Sequence, residues 1–292
     1  MANAPLSREE YIEQEYFFRV YRERLLQSIP SQEILKTIQE EILATTRLPM
    51  AIDFMRAEIM HSGRISDAMK RLGHYFTPFQ TYVITMAEDD VSRFDQVTGL
   101  EMLEREARYR ADGCSMAGLF VYQFECLARN RLGYSDGLTA MADDTAYNEA
   151  WKKWILSLRG NLGVRELSAM VFRASEHFHT LRTRMQPPGS VEPEEHPPSL
   201  FGEQDGRIAK ANIGRDPLYF FAALQRQLNY PRVPLSKKIY DETLPPFLQN
   251  RLTKIEQRLK IVEMEQKGGI DLTKFYKTPD SDTPPAFQDL PG

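Results

Sequence analysis

The sequence predicts an all-α protein, with a six-helix antiparallel bundle followed by a second helical bundle. Two observations indicate this fold class. Apolar residues recur every three or four positions along most of the 292 residues. Between these segments stand the Gly, Pro, Ser and Asp residues that start or end helices. Residues 200–210 are the exception, because Asp205-Gly206 is typical of the turn in a small β-hairpin.

Residues 1–110 contain the signals of six helices. Ser7 and Glu10 have the form of a capping box at the start of the first helix, and Ser31 caps the second. Residues 45–49 break the second helix, and the third follows directly. Gly63 then stands where a helix often ends in the left-handed conformation.

Three more helices complete this first group. The fourth is short and covers residues 65–72. An aromatic corner follows at residues 75–79, and Pro78 within it is well placed in the first turn of the fifth helix. Apolar residues at helical spacing mark the sixth helix: Phe94, Val97, Leu100, Leu103 and Ala107. The short connections favour antiparallel neighbours and hence a bundle.

Asp112 and Gly113 predict a hinge before a second helical group, which covers residues 115–184. The aromatic and Gly pattern of residues 120–138 echoes the first group. The second bundle is open to two interpretations, a degenerate repeat of the first or an unrelated helical group.

The C-terminal third begins with a Pro-rich segment, in which the prolines exclude regular structure. Asp216 then caps, and Pro217 opens, a further helix. The predicted divisions are a six-helix domain at 1–111, a second bundle at 114–186, a linker at 187–199, a helical region at 200–267 and a disordered tail at 268–292.

The amino-acid composition limits the classes of protein to which the chain can belong. The chain is 42% hydrophobic, which is enough to build a buried core. Its 37 basic and 41 acidic residues give a net charge of −4, so no bulk attraction to nucleic acid or anionic lipid is implied. No apolar run approaches the roughly 20 residues of a membrane span. Cys114 and Cys126 form neither a zinc motif nor a disulfide framework, and the acidic N-terminus differs from an export signal, so a soluble, cytoplasmic protein is expected.

The order of residues in the first group resembles the cytoplasmic domain of the type II secretion and type IV pilus inner-membrane platform proteins. That domain opens with an aromatic and leucine-rich helix, a small-residue turn and an apolar-Pro pair. The corresponding residues here are Phe17, Phe18, Leu25, Leu26, Ser28, Ile29, Pro30 and Leu35. Ser28 stands where the family usually has Gly.

A second family signature is a Gly, a short apolar helix with Ala, and then Phe-Pro. It is matched by Gly63, Ile65, Ala68, Met69, Phe76 and Pro78, with Thr77 inserted before the Pro. The family's next motif, Gly-Glu-x-x-Gly-x-Leu, is matched only at Ala87, Glu88 and Phe94, and both glycines are missing. The membrane helices that separate two copies of the domain in the family are also missing.

The resemblance implies a non-enzymatic module that binds other proteins, such as secretion or pilus assembly components, and needs no cofactor. The predicted contact surface comprises the aromatic corner, through Phe76, Pro78 and Phe79, and the acidic Glu88 region. A metal- or nucleotide-dependent enzyme and a self-assembling structural protein are the competing hypotheses.

The acidic residues after the fifth helix carry the enzyme hypothesis. Several carboxylates on one loop could hold a hard divalent cation through oxygen ligands, and the candidates are Glu88, Asp89, Asp90 and Asp95. The alternative, which the helix positions favour, is a solvated corner that caps the following helix.

His177 and His179 are a second metal candidate, but histidines two positions apart on a helix point to different faces. Arg207, Lys210 and Arg215 precede a helix start, where a phosphate could bind. The capping carboxylate of Asp216 opposes an anion there, and no nucleic-acid partner is expected.

Near the C-terminus, apolar residues alternate spacings of four and three, as in a coiled-coil seam. They are Leu248, Leu252, Ile255, Leu259 and Val262. This seam is interpreted either as docking onto the protein's own core or as a short dimer contact. Removing residues 245–292 and measuring the mass in solution distinguishes the two.

Overall fold

Thirteen α-helices make up the part of the chain that the computed structural model describes, which is residues 5–89, 94–162, 165–185 and 198–236. In chain order they are α1 Arg8–Leu26, α2 Ser31–Glu41, α3 Leu48–Ser62, α4 Ile65–Arg71, α5 Pro78–Ala87, α6 Gln96–Ala111, α7 Met116–Asn130, α8 Tyr134–Ala142, α9 Glu149–Asn161, α10 Leu167–Arg173, α11 Glu176–Met185, α12 Glu203–Ala211 and α13 Pro217–Leu228. These residues form no β-strand, and their only extended pairings are the isolated bridges Leu162 to Arg165 and Ser175 to Phe201. The predicted all-α fold class is confirmed.

The first six helices begin and end close to the predicted positions. Gly63 ends α3 with a φ of 71°, the left-handed conformation that its position predicted. Pro78 is the first residue of α5, also as predicted. The start of α5 is further fixed by a capping box between Thr77 and Gln80, which satisfies backbone donors that the helix itself cannot.

The first helix, α1, lies along α6, the last helix of its group. The Arg8 guanidinium at the start of α1 donates to the Ala111 carbonyl at the end of α6, with an N–O distance of 3.2 Å. Further along, Arg22 pairs with Glu104 at 2.8 Å. Tyr21 of α1 is fully buried, whereas Ile12 and Leu26 of the same helix are exposed.

The two predicted helical groups share one hydrophobic core. Residues Met1–Lys237 form a single compact unit, and buried side chains of α1 to α6 and of α7 to α13 belong to the same apolar cluster. Tyr122 on α7 joins them directly, because its hydroxyl donates to the Met102 carbonyl of α6 at 2.7 Å. The helices therefore stabilise one another across the Asp112-Gly113 turn.

An aromatic cluster holds the second group together. The Phe201 ring lies 5.1 Å from Trp151 and 5.3 Å from Trp154, measured between centroids, and Phe120 lies 4.9 Å from Trp154. These edge-to-face contacts bury large apolar surfaces and favour defined ring orientations. Residues 198–201 are thereby attached to α7 and α9.

The predicted hairpin at residues 200–210 is wrong, because α12 occupies this segment. Asp205 lies in the first turn of α12, where its Oδ2 accepts a hydrogen bond from the Gly202 amide at 3.0 Å. Gly206 faces Ser175, and a Cβ at Gly206 would lie 2.2 Å from the Ser175 hydroxyl oxygen. The Asp-Gly pair thus provides a helix cap and a close approach between segments rather than a turn.

None of the helices within the described ranges is both long and apolar enough to cross a membrane. The C-terminal seam, Leu248 to Val262, and the predicted tail lie outside the described residues.

Candidate functional site

The aromatic corner belongs mainly to the core. Phe76 and Phe79 are 1% and 0% exposed, so these rings present almost no surface of their own to a partner. The reason is that the turn between α4 and α5 faces α1, where the Phe76 ring packs 6.4 Å from Phe17 and 6.3 Å from Phe18. Pro78 is the member of the predicted contact set that stays half-exposed at this corner.

A cleft of about 350 Å³ opens beside the corner, between α4 and α5. We call it the α4–α5 cleft, and its lining residues are Lys70, Gly73, Phe76, Pro78, Thr81, Tyr82 and Thr85. The α5 residues are spaced three and four apart, so they lie on one face of that helix. The cleft is mainly apolar, with the Lys70 ammonium at its edge. Its size and chemistry suit one large apolar side chain.

Tyr82 forms a fixed wall of the cleft. Its hydroxyl donates to the Gly133 carbonyl at the start of α8, with an O–O distance of 2.9 Å. Burial, together with the negative charge of Asp136, raises the pKa of Tyr82 to about 12, so the phenol stays a neutral donor. With Pro78 held in the first turn of α5, the cleft is preorganised, and a ligand would not have to order this wall.

Glu88 is committed to the fold rather than to a partner. Its Oε1 accepts a hydrogen bond from the Ile65 amide at 2.7 Å, and its Oε2 accepts one from the Ser66 amide at 3.0 Å. The carboxylate therefore caps the N-terminus of α4, which precedes it in sequence. The sequence predicts that the acidic residues cap the following helix, whereas Glu88 caps the preceding helix, α4.

Asp95, another candidate metal ligand, has a capping role of its own. Asp95 caps α6, where its Oδ1 accepts from the Thr98 amide at 2.7 Å and its Oδ2 accepts from the Thr98 hydroxyl at 2.8 Å. Asp89 is exposed, and Asp90 lies outside the described residues. Among the residues that the structure describes, no three His, Cys, Asp or Glu side chains are placed to hold a metal ion.

His177, which with His179 forms the other metal candidate, has a partner on a neighbouring helix. The Nδ1 of His177 lies 2.9 Å from Glu203 Oε1, a contact between α11 and α12. This hydrogen bond, with a second from Arg207, lowers the pKa of Glu203. The imidazole thus has a structural partner in the fold.

Two of the three basic residues near α13 also have internal contacts. Arg207 pairs with Glu203 at 3.0 Å, and the Lys210 ammonium lies 5.7 Å from the centre of the Phe172 ring. Arg215 lines a small cleft together with Glu166, whose carboxylate opposes an anion. The contacts of these residues agree with internal pairing, the alternative to a phosphate site.

Sequence reasoning missed a buried polar cluster, which we call the Arg110 cluster: Glu106, Arg110, Gln123, Asp144 and Tyr147. The side chains of Glu106 and Asp144 are 0% exposed and that of Arg110 is 3% exposed. The spacing of four between Glu106 and Arg110 was the available signal, but the same spacing is ordinary for exposed ion pairs on a helix. Only the packing of α7 and the segment after α8 reveals the burial.

No protein-family model, curated protein or solved structure matches this chain. The resemblance to the platform proteins therefore stays a prediction from the order of residues.

Proposed function

We propose that the protein is a non-enzymatic protein–protein interaction or assembly module that receives a partner side chain in the α4–α5 cleft. The observation that supports it is the cleft itself: a preformed, mainly apolar opening at the corner that the resemblance to platform domains singled out. The buried Phe76 ring forms the floor, and the accessible contacts come from Pro78, Tyr82 and Thr85.

The chemistry of the cleft defines the partner. A leucine or aromatic side chain fills such an opening and removes apolar surface from water. The Lys70 ammonium is only weakly held, since its contact with Asp67 is 3.4 Å long and both side chains are exposed. A carboxylate next to the apolar anchor would face this ammonium. The partner class is therefore a protein that presents an apolar residue beside an acidic one.

The setting that we propose is the cytoplasm, as part of a secretion- or pilus-type assembly. Both cysteines are free thiols in the structure. A chain with thiols and no disulfide suits a reducing compartment.

The test begins with the identification of partners that the full chain retains from a native extract. The affinity of the purified partner is then compared between the wild type and Thr85→Arg, by isothermal titration calorimetry. An arginine at this position fills the cleft with a charged side chain, so we expect the dissociation constant to rise at least about tenfold, or roughly 1.4 kcal/mol.

Thr139→Arg is the matched control. The Thr139 hydroxyl donates to the carbonyl four residues earlier, at 2.9 Å, as the Thr85 hydroxyl does at 2.8 Å, but Thr139 lies on α8 outside the cleft lining. We expect Thr139→Arg to bind like the wild type. Equal binding by Thr85→Arg, or no partner retained by the wild type, would overturn the proposal.

A further inference from the structure

The Arg110 cluster joins four parts of the fold in the core. Glu106 and Arg110 come from α6, Gln123 comes from α7, and Asp144 and Tyr147 come from the segment between α8 and α9. The Arg110 guanidinium also lies 5.8 Å from the centre of the Tyr11 ring on α1. A change in the charge of this cluster therefore acts on the junction between the two helical groups.

The guanidinium is shared between two carboxylates. Arg110 Nε and Nη2 donate to Glu106 Oε1 at 3.1 and 2.7 Å. Its Nη2 also donates to Asp144 Oδ2, and its Nη1 lies 3.4 Å from Asp144 Oδ1. If both carboxylates were ionised, the cluster would carry a net negative charge in the core. Burying an uncompensated charge is costly, and a proton on one carboxylate removes it.

The hydrogen bonds identify which carboxylate holds the proton. Both oxygens of Asp144 accept hydrogen bonds, since Oδ1 also accepts from the Ala146 amide at 3.0 Å. In Glu106, Oε1 accepts from Arg110 and from Gln123 Nε2 at 2.8 Å, while the buried Oε2 has no hydrogen-bond partner. An ionised oxygen buried without a donor costs more than a neutral hydroxyl buried without an acceptor, so the proton belongs on Glu106 Oε2.

We propose that Glu106 carries a proton in the folded chain and that the Arg110 cluster is a protonation-controlled latch between α6, α7 and the segment after α8. Burial is the main cause that raises the pKa of Glu106; Arg110 opposes this effect, and Asp144 adds to it. The other titratable groups facing Glu106 stay neutral, because burial also raises the pKa values of Tyr11, Cys114, Tyr122, Cys126 and Tyr147.

The proposal fixes the sign of the pH dependence. Glu106 binds its proton more tightly in the folded chain than in the unfolded chain, where its pKa is about 4.5. This contribution to stability is complete below that value and is lost as the pH rises through the folded pKa. Between the unfolded and the folded pKa of Glu106, the folded chain binds one more proton than the unfolded chain. The folding equilibrium constant therefore falls about tenfold for each unit by which the pH rises.

The test is urea unfolding of the full chain between about pH 5 and pH 8 in the wild type, Glu106→Gln and Glu101→Gln. Glutamine is the neutral isostere of the protonated acid, so we expect Glu106→Gln to fold. Its folding equilibrium constant should not show the tenfold decrease for each unit of rising pH. Glu101→Gln is the control, because Glu101 pairs with Arg105 on the same helix near the surface, and it should follow the wild type.

Infrared spectroscopy provides a second measurement on the wild type. The carbonyl band of a protonated carboxylic acid should be present at neutral pH, should disappear as the pH rises, and should be missing in Glu106→Gln. The proposal is overturned by a wild type without this band, by a Glu106→Gln chain that does not fold, or by a pH dependence that this substitution leaves unchanged.

Discussion

Glu88 caps α4 at Ile65: the carboxylate at the end of α5 accepts the Ile65 amide hydrogen with an N–O distance of 2.7 Å. The residue before α4, Arg64, supplies no side-chain cap. A helix as short as α4 depends on such tertiary contacts, because it has few internal hydrogen bonds. The negative charge also lies near the positive end of the α4 dipole.

Glu88→Gln tests this cap. An amide side chain has one oxygen, so one of the two backbone donors loses its acceptor and the charge is removed. We expect the free energy of unfolding to fall by about 1 kcal/mol, measured by urea denaturation. Glu40→Gln on α2 replaces an exposed glutamate with the same amide and should change stability by less than about 0.5 kcal/mol. Equal effects of the two variants would show that the cap contributes nothing specific.

Alanine substitutions at two glycines test the packing of α12. Gly206→Ala places a Cβ 2.2 Å from the Ser175 hydroxyl oxygen and 2.7 Å from His177 Cβ, so the segments must separate. We expect a loss of about 1–3 kcal/mol. Gly160→Ala, near the end of α9, meets no atom within 4 Å and should be neutral or stabilising by up to about 1 kcal/mol. Thermal unfolding of both variants compares the same chemical change at two sites, and a stable Gly206→Ala chain would contradict the close approach.

Tryptophan fluorescence tests the aromatic cluster around Phe201. The chain has 2 tryptophans, Trp151 and Trp154, and both contact the Phe201 ring. Phe201→Ala should cost about 3–5 kcal/mol and shift the emission of the folded chain to longer wavelength, because water reaches the indoles. Phe17→Ala removes a ring from another part of the core and should destabilise the chain without that shift. An unchanged spectrum in Phe201→Ala would place the ring away from the indoles.

The two thiols should differ in reactivity. Burial raises the pKa values of both Cys114 and Cys126, and Cys126 is fully buried whereas Cys114 is half-exposed. Since the thiolate is the reactive form, we expect an aromatic disulfide reagent at neutral pH to modify Cys114 slowly and Cys126 only as the chain unfolds. In Cys114→Ser, the remaining thiol should react at the unfolding rate. Rapid labelling of that variant would show that Cys126 is accessible in the folded chain.

Much of the fold was predictable because local signals agreed with the final packing. Pro78 fixes its own φ and cannot continue a preceding helix, whereas Gly63 adopts the left-handed conformation without a steric cost, so the start of α5 and the end of α3 followed from sequence. Asp216 caps α13 for the same local reason, with its Oδ1 2.9 Å from the Leu218 amide. The hairpin prediction from Asp205-Gly206 was wrong because Gly206 is needed for the close approach to Ser175. No local sequence pattern reveals such a tertiary contact.

The candidate site was predictable only in location. An aromatic residue beside a proline has the same pattern in a core and at a surface, so the burial of Phe76 and Phe79 could not be inferred. Glu88 was predicted to contact a partner or a cation, whereas in the structure it accepts hydrogen bonds from Ile65 and Ser66, which lie on a different helix. The Arg110 cluster depends on Asp144, far along the chain, and helical spacing alone carries no information about that contact.

The packing of α1 along α6 has a consequence for synthesis on the ribosome. Helix α1 is synthesised before α6, so residues up to Ala111 must be made before α1 can pack along that helix. During this interval the contacts that α6 provides to α1 are missing, among them the Glu104 partner of Arg22. We expect a chaperone for apolar sequences to bind Arg8–Leu26, which carries the buried rings of Phe17, Phe18 and Tyr21, until α6 has been made.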